Sequence, residues 1–313
     1  MGITPQDAAS DAISSWLRQY VLAGTPLLYA TMGELITERS GVLNLGVEGM
    51  MIMGAFFAFI VQFKTGNPWL AALAAGVGAG CLGLIHGVVC LIFQGNQTVS
   101  GLALTIFGVG LSDYLGAPFI GEKTVGFQPF DIPLLSDIPV LGQVLFQHDP
   151  LVYISYILPW AVMWFFRRTS LGLALCASGE SPDAVQAAGL DPVRMRWLGI
   201  FAGAFFVGIG GAYLSLCATH MWTHNLTAGK GWIAVALVIF AFWRPGRAMF
   251  GAYLFGGIMA FQLRLQALGT TIPSSLMMML PYALTILALL FSSARGKGRN
   301  APAALGENIA PGA

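Results

Sequence analysis

The chain has 313 residues, 56% of them hydrophobic and only 9% charged. Soluble domains carry about 25% charged residues, so this composition excludes an ordinary soluble globule and places the chain in a bilayer. A formal net charge of +1 excludes the basic footprint that nucleic-acid binding requires.

The N-terminal MGITPQDAASDA has two aspartates and no basic stretch, which argues against a cleaved signal peptide. Hydrophobic segments follow at 12–32, 42–63, 68–93, 97–120, 150–166, 194–217, 228–243, 248–263 and 274–292. Each is expected to be helical, because a segment in hydrocarbon must satisfy its own backbone groups. The expected fold is an all-α integral membrane protein, a polytopic helical bundle with about 8–10 transmembrane helices, some broken or re-entrant. Residues 1–295 are read as a single transmembrane domain, and 296–313 as a cytoplasmic tail expected to be disordered.

The second segment starts within Glu38–Phe57, ERSGVLNLGVEGMMIMGAFF, and carries Asn44 and Glu48 into an apolar run. A carboxylate in hydrocarbon costs about 2.5–3.5 kcal/mol even on lenient insertion scales, so such a residue faces a bundle interior or a wet path. Gly41, Asn44 and Glu48 are spaced i, i+3 and i+7, which predicts one shared helix face. Between Lys64 and Asp113 there is no Asp, Glu, Lys or Arg, a length sufficient for two spans of about 20 residues. In segment 68–93, Gly76, Gly80, Gly83 and Gly87 form one smooth face suited to close helix packing. His86 beside it reads as a packed, hydrogen-bonded core residue. Asn96, Gln97, Thr98 and Ser100 make a polar start to the next segment. Asn96 and Thr98 are read first as helix caps.

Loop 121–149, with Asp131, Asp137 and Asp149, alternates with loop 167–196, which holds Arg167, Arg168, Arg194 and Arg196. Arg244, Arg247, Arg295, Lys297 and Arg299 fall on the same side as the second loop. The positive-inside rule puts 167–196, 244–247 and the tail in the cytoplasm, 121–149 outside, and by alternation 33–41 inside and the N-terminus outside. Within 167–196 lies ASGESPDAVQAAGLDP. Ser181 is a good N-cap, Pro182 suits the first helical position, Asp183 favours the positive helix end, and Gly189 suits the left-handed position after it. The pattern predicts a two-turn helix over 182–188, with Ala184, Val185, Ala187 and Ala188 as a small apolar surface for a partner's groove. Residues 231–243 are uncharged but give only about 20 Å of helix, short of a core of about 30 Å. Either Lys230 and Arg244 snorkel or this helix is broken.

No G-x-x-x-x-G-K-[ST], H-E-x-x-H, G-x-S-x-G or paired-carboxylate cluster occurs. No catalytic residue, metal site or cofactor is assigned. Cys81, Cys90, Cys176 and Cys217 form no CxxC pair and read as packing residues. Transport is the class that remains.

The run ERSGVLNLGVEGMMIMGAFFA resembles the signature of bacterial ABC importer permeases for nucleosides and simple sugars, within the group that includes ribose and branched-chain amino acid permeases. NQTVSGLALTIFGVGL (96–111), TSLGLALCASGESPDAVQAAGL (169–190), GGAYLSL (210–216), NLTAGKGWIAVALVIF (225–240), QLRLQ (262–266) and IPSSLMMMLPYALTIL (272–287) continue the likeness in order. It covers about residues 20–290. Lys230 and Trp232 stand where Arg and Phe are expected, and the block NLTAGKGW is closer to the nucleoside subgroup than to the ribose one. The resemblance implies a permease subunit with three protein partners: a separate ABC ATPase, a second homologous permease chain expected to be a different protein, and an extracytoplasmic substrate-binding (lipo)protein. It also implies a multi-pass location in the bacterial plasma membrane, among its lipids. It further implies that the loop with Gly179, Glu180, Ser181, Asp183, Ala184, Val185, Ala187 and Gly189 engages the ATPase. Asn44, Glu48, Asn96, Thr98 and Ser100 become candidates for the translocation path. For Glu48 two readings stand: it lines the path, or it satisfies freed backbone N–H groups at a helix break. The competing class is an ion-coupled secondary transporter acting without an ATPase. It would need more intramembrane charges than Glu48 and Asp113, and it leaves the 182–188 helix unexplained.

Overall fold

The computed structural model describes residues 5–136, 138–270, 272–273, 276–277, 279–294 and 301–309. The chain begins with α1 (Pro5–Arg39), which contains Pro26, followed by α2 (Val47–Thr65), α3 (Pro68–Gly87) and α4 (Gln97–Gly116). An outer excursion holds the strand pair β1 (Phe130–Asp131) and β2 (Gln147–His148) around α5 (Leu141–Leu145). Then come α6 (Pro150–Arg168), α7 (Ser170–Glu180), α8 (Pro182–Ala187) and α9 (Pro192–Tyr213). The series closes with α10 (Lys230–Phe240), α11 (Pro245–Ala267) and α12 (Leu280–Ala294). Single π-turns at Val88–Ile92 and Leu214–Ala218 prolong α3 and α9. The fold is an all-α polytopic membrane bundle. Among the described residues, α2, α3, α4, α9 and α11 with their extensions are long and apolar enough to cross a membrane.

Helix starts follow a repeated local rule, a side-chain oxygen followed by proline. Asn67, Asp149 and Asp191 each accept N–H bonds from the turn they open, as in Trp69 N to Asn67 Oδ1 at 3.0 Å and Val193 N to Asp191 Oδ1 at 2.9 Å. The proline that follows lacks the N–H that would go unpaired there. Helix α9 is the hub, packed against α1, α2 and α3. A Cβ on Gly54 would lie 2.5 Å from Gly208 Cα, so the α2–α9 contact is backbone on backbone, the close approach that small residues permit in lipid. The glycine face of α3 also meets α9, but differently. Gly76, Gly80 and Gly87 leave room for the rings of Phe205, Phe201 and Trp197.

The loops gather at two opposite ends of the bundle. Ser14 Oγ donates to Gln143 Oε1 at 2.5 Å and Arg18 to the Gln147 carbonyl at 2.8 Å, so the start of α1 shares an end with loop 121–149. At the opposite end, Arg39 meets Glu180 at 3.4 Å and Ser178 Oγ donates to the Ser40 carbonyl at 2.9 Å, so the end of α1 lies beside loop 167–196. Arg295, Lys297, Arg299 and Asp137 lie outside the described residues, as does part of segment 274–292.

Two expectations change here. Asn44 does not share a helix face with Glu48. Gly41 has φ +95° and residues 42–46 are non-helical before α2 begins at Val47. Asn44 Oδ1 instead accepts the Gly46 N–H at 2.9 Å, a local turn that competes with helix. The tail is not structureless over 301–309. Ala304 N donates to the Gly179 carbonyl at 2.8 Å and Gly306 N to the Gly41 carbonyl at 3.1 Å. Asn308 Nδ2 reaches the Gln94 carbonyl at 2.7 Å. These contacts had no periodic signal in the sequence, because the tail is held by backbone groups together with three scattered apolar residues, Ala301, Ala304 and Leu305, that pack on the core.

Candidate functional site

The short segment is a broken helix. Residues 219–229 run as irregular chain, and only α10 is helical, with 11 residues or about 16 Å. Its first turn carries unpaired N–H groups and the positive end of the helix dipole. Glu48 fills that position. Its Oε1 accepts from Thr227 Oγ1 at 2.5 Å and from Gly229 N at 2.9 Å, and its Oε2 accepts from Gly231 N at 2.6 Å. A Cβ on Gly231 would lie 2.5 Å from Glu48 Cα, so only glycine allows this approach. Thr227 is buried and Glu48 is 5% exposed.

The far end of α10 is clamped too. Trp243 Nε1 donates to Glu38 Oε2 at 2.5 Å, and Arg39 Nε and Nη2 each donate to the Trp243 carbonyl at 3.2 Å. Between these clamps, Asn44 Nδ2 donates to Glu34 Oε2 at 3.1 Å. Glu34 and Glu38 are buried, and Glu34 Oε1 has no partner among the described residues. Backbone strain collects at both ends of α10: Asn225 has φ +52° and Ala228 +47° before it, Phe242 +54° and Trp243 +53° after it. The left-handed region costs a residue with a Cβ about 1–2 kcal/mol, and such strain persists where surroundings over-determine it, often at functional sites.

The sequence-predicted residues fall into three places. Asn44 and Glu48 belong to the polar thread around α10. Asn96 caps α4, accepting from Val99 N at 3.0 Å, whereas Thr98 is exposed and caps nothing. Ser100 Oγ lies 2.9 Å from His86 Nδ1, while His86 Nε2 lies 3.1 Å from the Leu43 carbonyl. His86 is therefore a satisfied core histidine. The third place is the elbow around α8. Ser181 Oγ accepts from Ala184 N at 3.4 Å and Gly189 has φ +78°, as the cap pattern predicts. Helix α8 ends one residue early, at Ala187. Val185 is not on its outer surface. It is 3% exposed and anchors the turn, leaving Asp183, Ala184, Gln186, Ala187 and Ala188 outward. Gly179 is buried, its carbonyl taken by Ala304 N. Glu180 pairs with Arg39 and accepts from Ala303 N at 3.3 Å.

Sequence reasoning missed Glu34, Glu38 and Arg196. All three are buried, yet they stand where a helix leaves the membrane and read as solvated ends. The i, i+4 spacing of Glu34 and Glu38, two like charges one turn apart, was the available signal. Among the described residues no group of acids, histidines and cysteines is arranged to hold a metal ion.

The sequence profile of the family described as branched-chain amino acid transport system, permease component, matches residues 17–289. A putative glucose ABC transporter permease of Haloferax volcanii is 43% identical over 80% of this chain and 78% of its own. A guanosine ABC transporter permease of Bacillus subtilis is 34% identical over 84% and 87%. A nucleoside ABC transporter permease of Lactococcus lactis is 29% identical over 86% and 89%. No solved structure matches the chain.

Proposed function

The chain belongs to the permease family of branched-chain amino acid transport systems, and we propose that it forms the translocation path of an ATP-driven importer for nucleosides or related simple sugars. It is an ABC permease, a multi-pass plasma-membrane subunit that transports and is not itself an enzyme. The substrate class rests on one observation. Relatives matching four-fifths or more of this chain are named for glucose, guanosine and nucleosides, all neutral, hydroxyl-rich solutes. ATP hydrolysis falls to a separate ATPase. A second homologous permease chain completes the path, and an extracytoplasmic binding protein delivers the substrate.

The outward face of α8, with Asp183, Ala184 and Ala187, is the part offered to the ATPase. Ser181 and Gly189 shape its ends, and Gly179, Glu180 and Val185 anchor it. Within the path, α10 is the element that responds to substrate and to ATPase closure, because it is short, strained at both ends and held by side chains rather than by helix continuity. Glu48 positions α10, because its two oxygens already accept three bonds from the chain that opens that helix. Asn44 supports it through Glu34. Asn96, Thr98 and Ser100 lie apart from this thread, at the cytoplasmic start of α4.

The test is uptake of labelled guanosine and glucose by proteoliposomes holding the assembled transporter and its binding protein. ATP-dependent uptake that stops when the ATPase is omitted is expected. Uptake driven by an ion gradient with this chain alone would overturn the reading.

A further inference from the structure

We propose that the cytoplasmic cleft between α6, α7 and the α10–α11 turn is a binding site for the headgroup of an anionic phospholipid. The cleft has a volume of about 660 Å³. Four arginines from three elements border it: Arg39 at the end of α1, Arg167 at the end of α6, and Arg244 and Arg247 at the start of α11. Arg39 is engaged by Glu180 and the Trp243 carbonyl. Arg167, Arg244 and Arg247 are exposed, and none forms an ion pair among the described residues. The only contact of this kind that Arg247 makes there is with the Phe242 ring, 5.3 Å away. Three guanidinium groups thus converge on one cleft with no carboxylate to answer them. The cleft also adjoins the N-terminus of α11, whose dipole favours an anion.

The rest of the cleft tells a phospholipid from a soluble anion. Its floor is apolar, built from Met163, Phe166 and Trp243. The two helices that flank it, α6 and α11, pack on each other and carry exposed apolar residues towards the outer end. These are Ile157, Trp160 and Trp164 on α6, and Phe250 and Leu254 on α11. A phosphate held by the arginines would place its acyl chains along those strips. Basic pockets between helices at the cytoplasmic boundary are suited to anionic headgroups, and arginine is the side chain that meets a phosphate with two parallel donors. An acidic protein segment would meet the same charge but has no use for the strips.

The experiment is native mass spectrometry of the assembled transporter, titrated with phosphatidylglycerol or phosphatidylcholine. One phosphatidylglycerol should be retained per copy of this chain, at a concentration where phosphatidylcholine is lost. The double variant Arg244→Gln/Arg247→Gln should weaken that retention by about thirtyfold, as removal of two basic side chains near an anionic lipid predicts. Arg194→Gln, an exposed arginine outside the cleft, should leave it unchanged. If the double variant does not assemble, Arg167→Gln and a potassium chloride titration of the wild type replace it, and retention should fall in both. Equal retention of the two lipids would overturn the site. So would an equal loss on Arg194→Gln. Stoichiometric binding of inorganic phosphate to lipid-free protein, with no gain from phosphatidylglycerol, would assign the cleft to a soluble anion and overturn the lipid.

Discussion

Two buried charges, one near each end of the mechanism, are handled in opposite ways. Glu48 is met by donors: the Thr227 hydroxyl and the N–H groups of Gly229 and Gly231. Arg196, wholly buried at the start of α9, is met by acceptors. Its Nη1 donates to the Glu307 carbonyl at 2.5 Å and its Nη2 to the Ala304 carbonyl at 3.3 Å. Glu48's partners already exist, because a helix that starts inside a membrane exposes N–H groups whatever else happens. Arg196's partners come from the far end of the chain. Its Nε has no partner among the described residues, whereas Glu48 uses both oxygens. One charge is built into the break of a transmembrane element. The other is satisfied by a segment that can be removed without cutting the bundle.

The largest effect should therefore follow from Glu48→Ala. It leaves two backbone N–H groups and a hydroxyl facing a vacated site. With each buried unsatisfied group costing about 1–3 kcal/mol, the loss should be several kcal/mol, read as a fall in melting temperature together with lost uptake. Glu48→Gln keeps the shape and one carbonyl oxygen but sets an NH₂ group against the N–H of Gly229 or Gly231. An intermediate loss is expected. Unchanged stability and uptake in Glu48→Ala would break the comparison on this side.

Removing 301–313 tests the other side and should cost less. The bundle should still assemble, with a smaller stability loss than in Glu48→Ala, because the groups that the tail leaves behind open to water and are not left buried and unpaired. Hydrogen exchange should rise at 177–190, because Gly179 and Glu180 lose their tail partners. ATPase co-purification should fall with it. If truncation lowers stability as far as Glu48→Ala does, the tail is as integral as the break and the contrast fails.

What could be read from the sequence follows the same division. Local signals were legible. Asn67-Pro68, Asp149-Pro150, Ser181-Pro182 and Asp191-Pro192 mark helix starts, Gly189 closes α8, and the short uncharged run at 231–243 marks the break. Arginine asymmetry sorted the two ends. Pairings across long sequence separations were not legible. Nothing near Arg196 says that its acceptors lie more than a hundred residues later, and nothing near Glu38 points to Trp243. Asn44 misled for a related reason. Its spacing from Glu48 fits a helix face, but Gly41 in the left-handed region and the Asn44 side-chain turn end helical continuity before α2. Val185 misled because a helix of two turns has too few residues to tell its anchored face from its open one.

Ala187→Arg sharpens the contrast at a site that should affect coupling alone. Ala187 is exposed on α8, and surface substitutions away from special features shift stability by about 0.5 kcal/mol or less. Melting should be unchanged while ATPase co-purification is lost; retained co-purification would remove α8 from the docking surface.

The smallest effect is expected outside the membrane, at a third buried titratable group whose partners fall one short. His148, in β2, is buried, and its Nε2 lies 2.8 Å from the Val144 carbonyl, to which it donates. Its Nδ1 has no partner among the described residues. Burial, the first cause, lowers its pKa below the ordinary 6.5, with Arg18 adding to the effect. The folded state thus binds this proton less readily than the unfolded state. Its stabilising contribution is full above about pH 6.5 and declines as the pH falls through that value towards the lower folded pKa. Hydrogen exchange across 130–148 should quicken from about pH 7.5 to about pH 5.5 after correction for intrinsic rates. His148→Gln should flatten that dependence. An equal pH response in the variant would show that another group, and not the unpartnered histidine nitrogen, sets the stability of the outer loop.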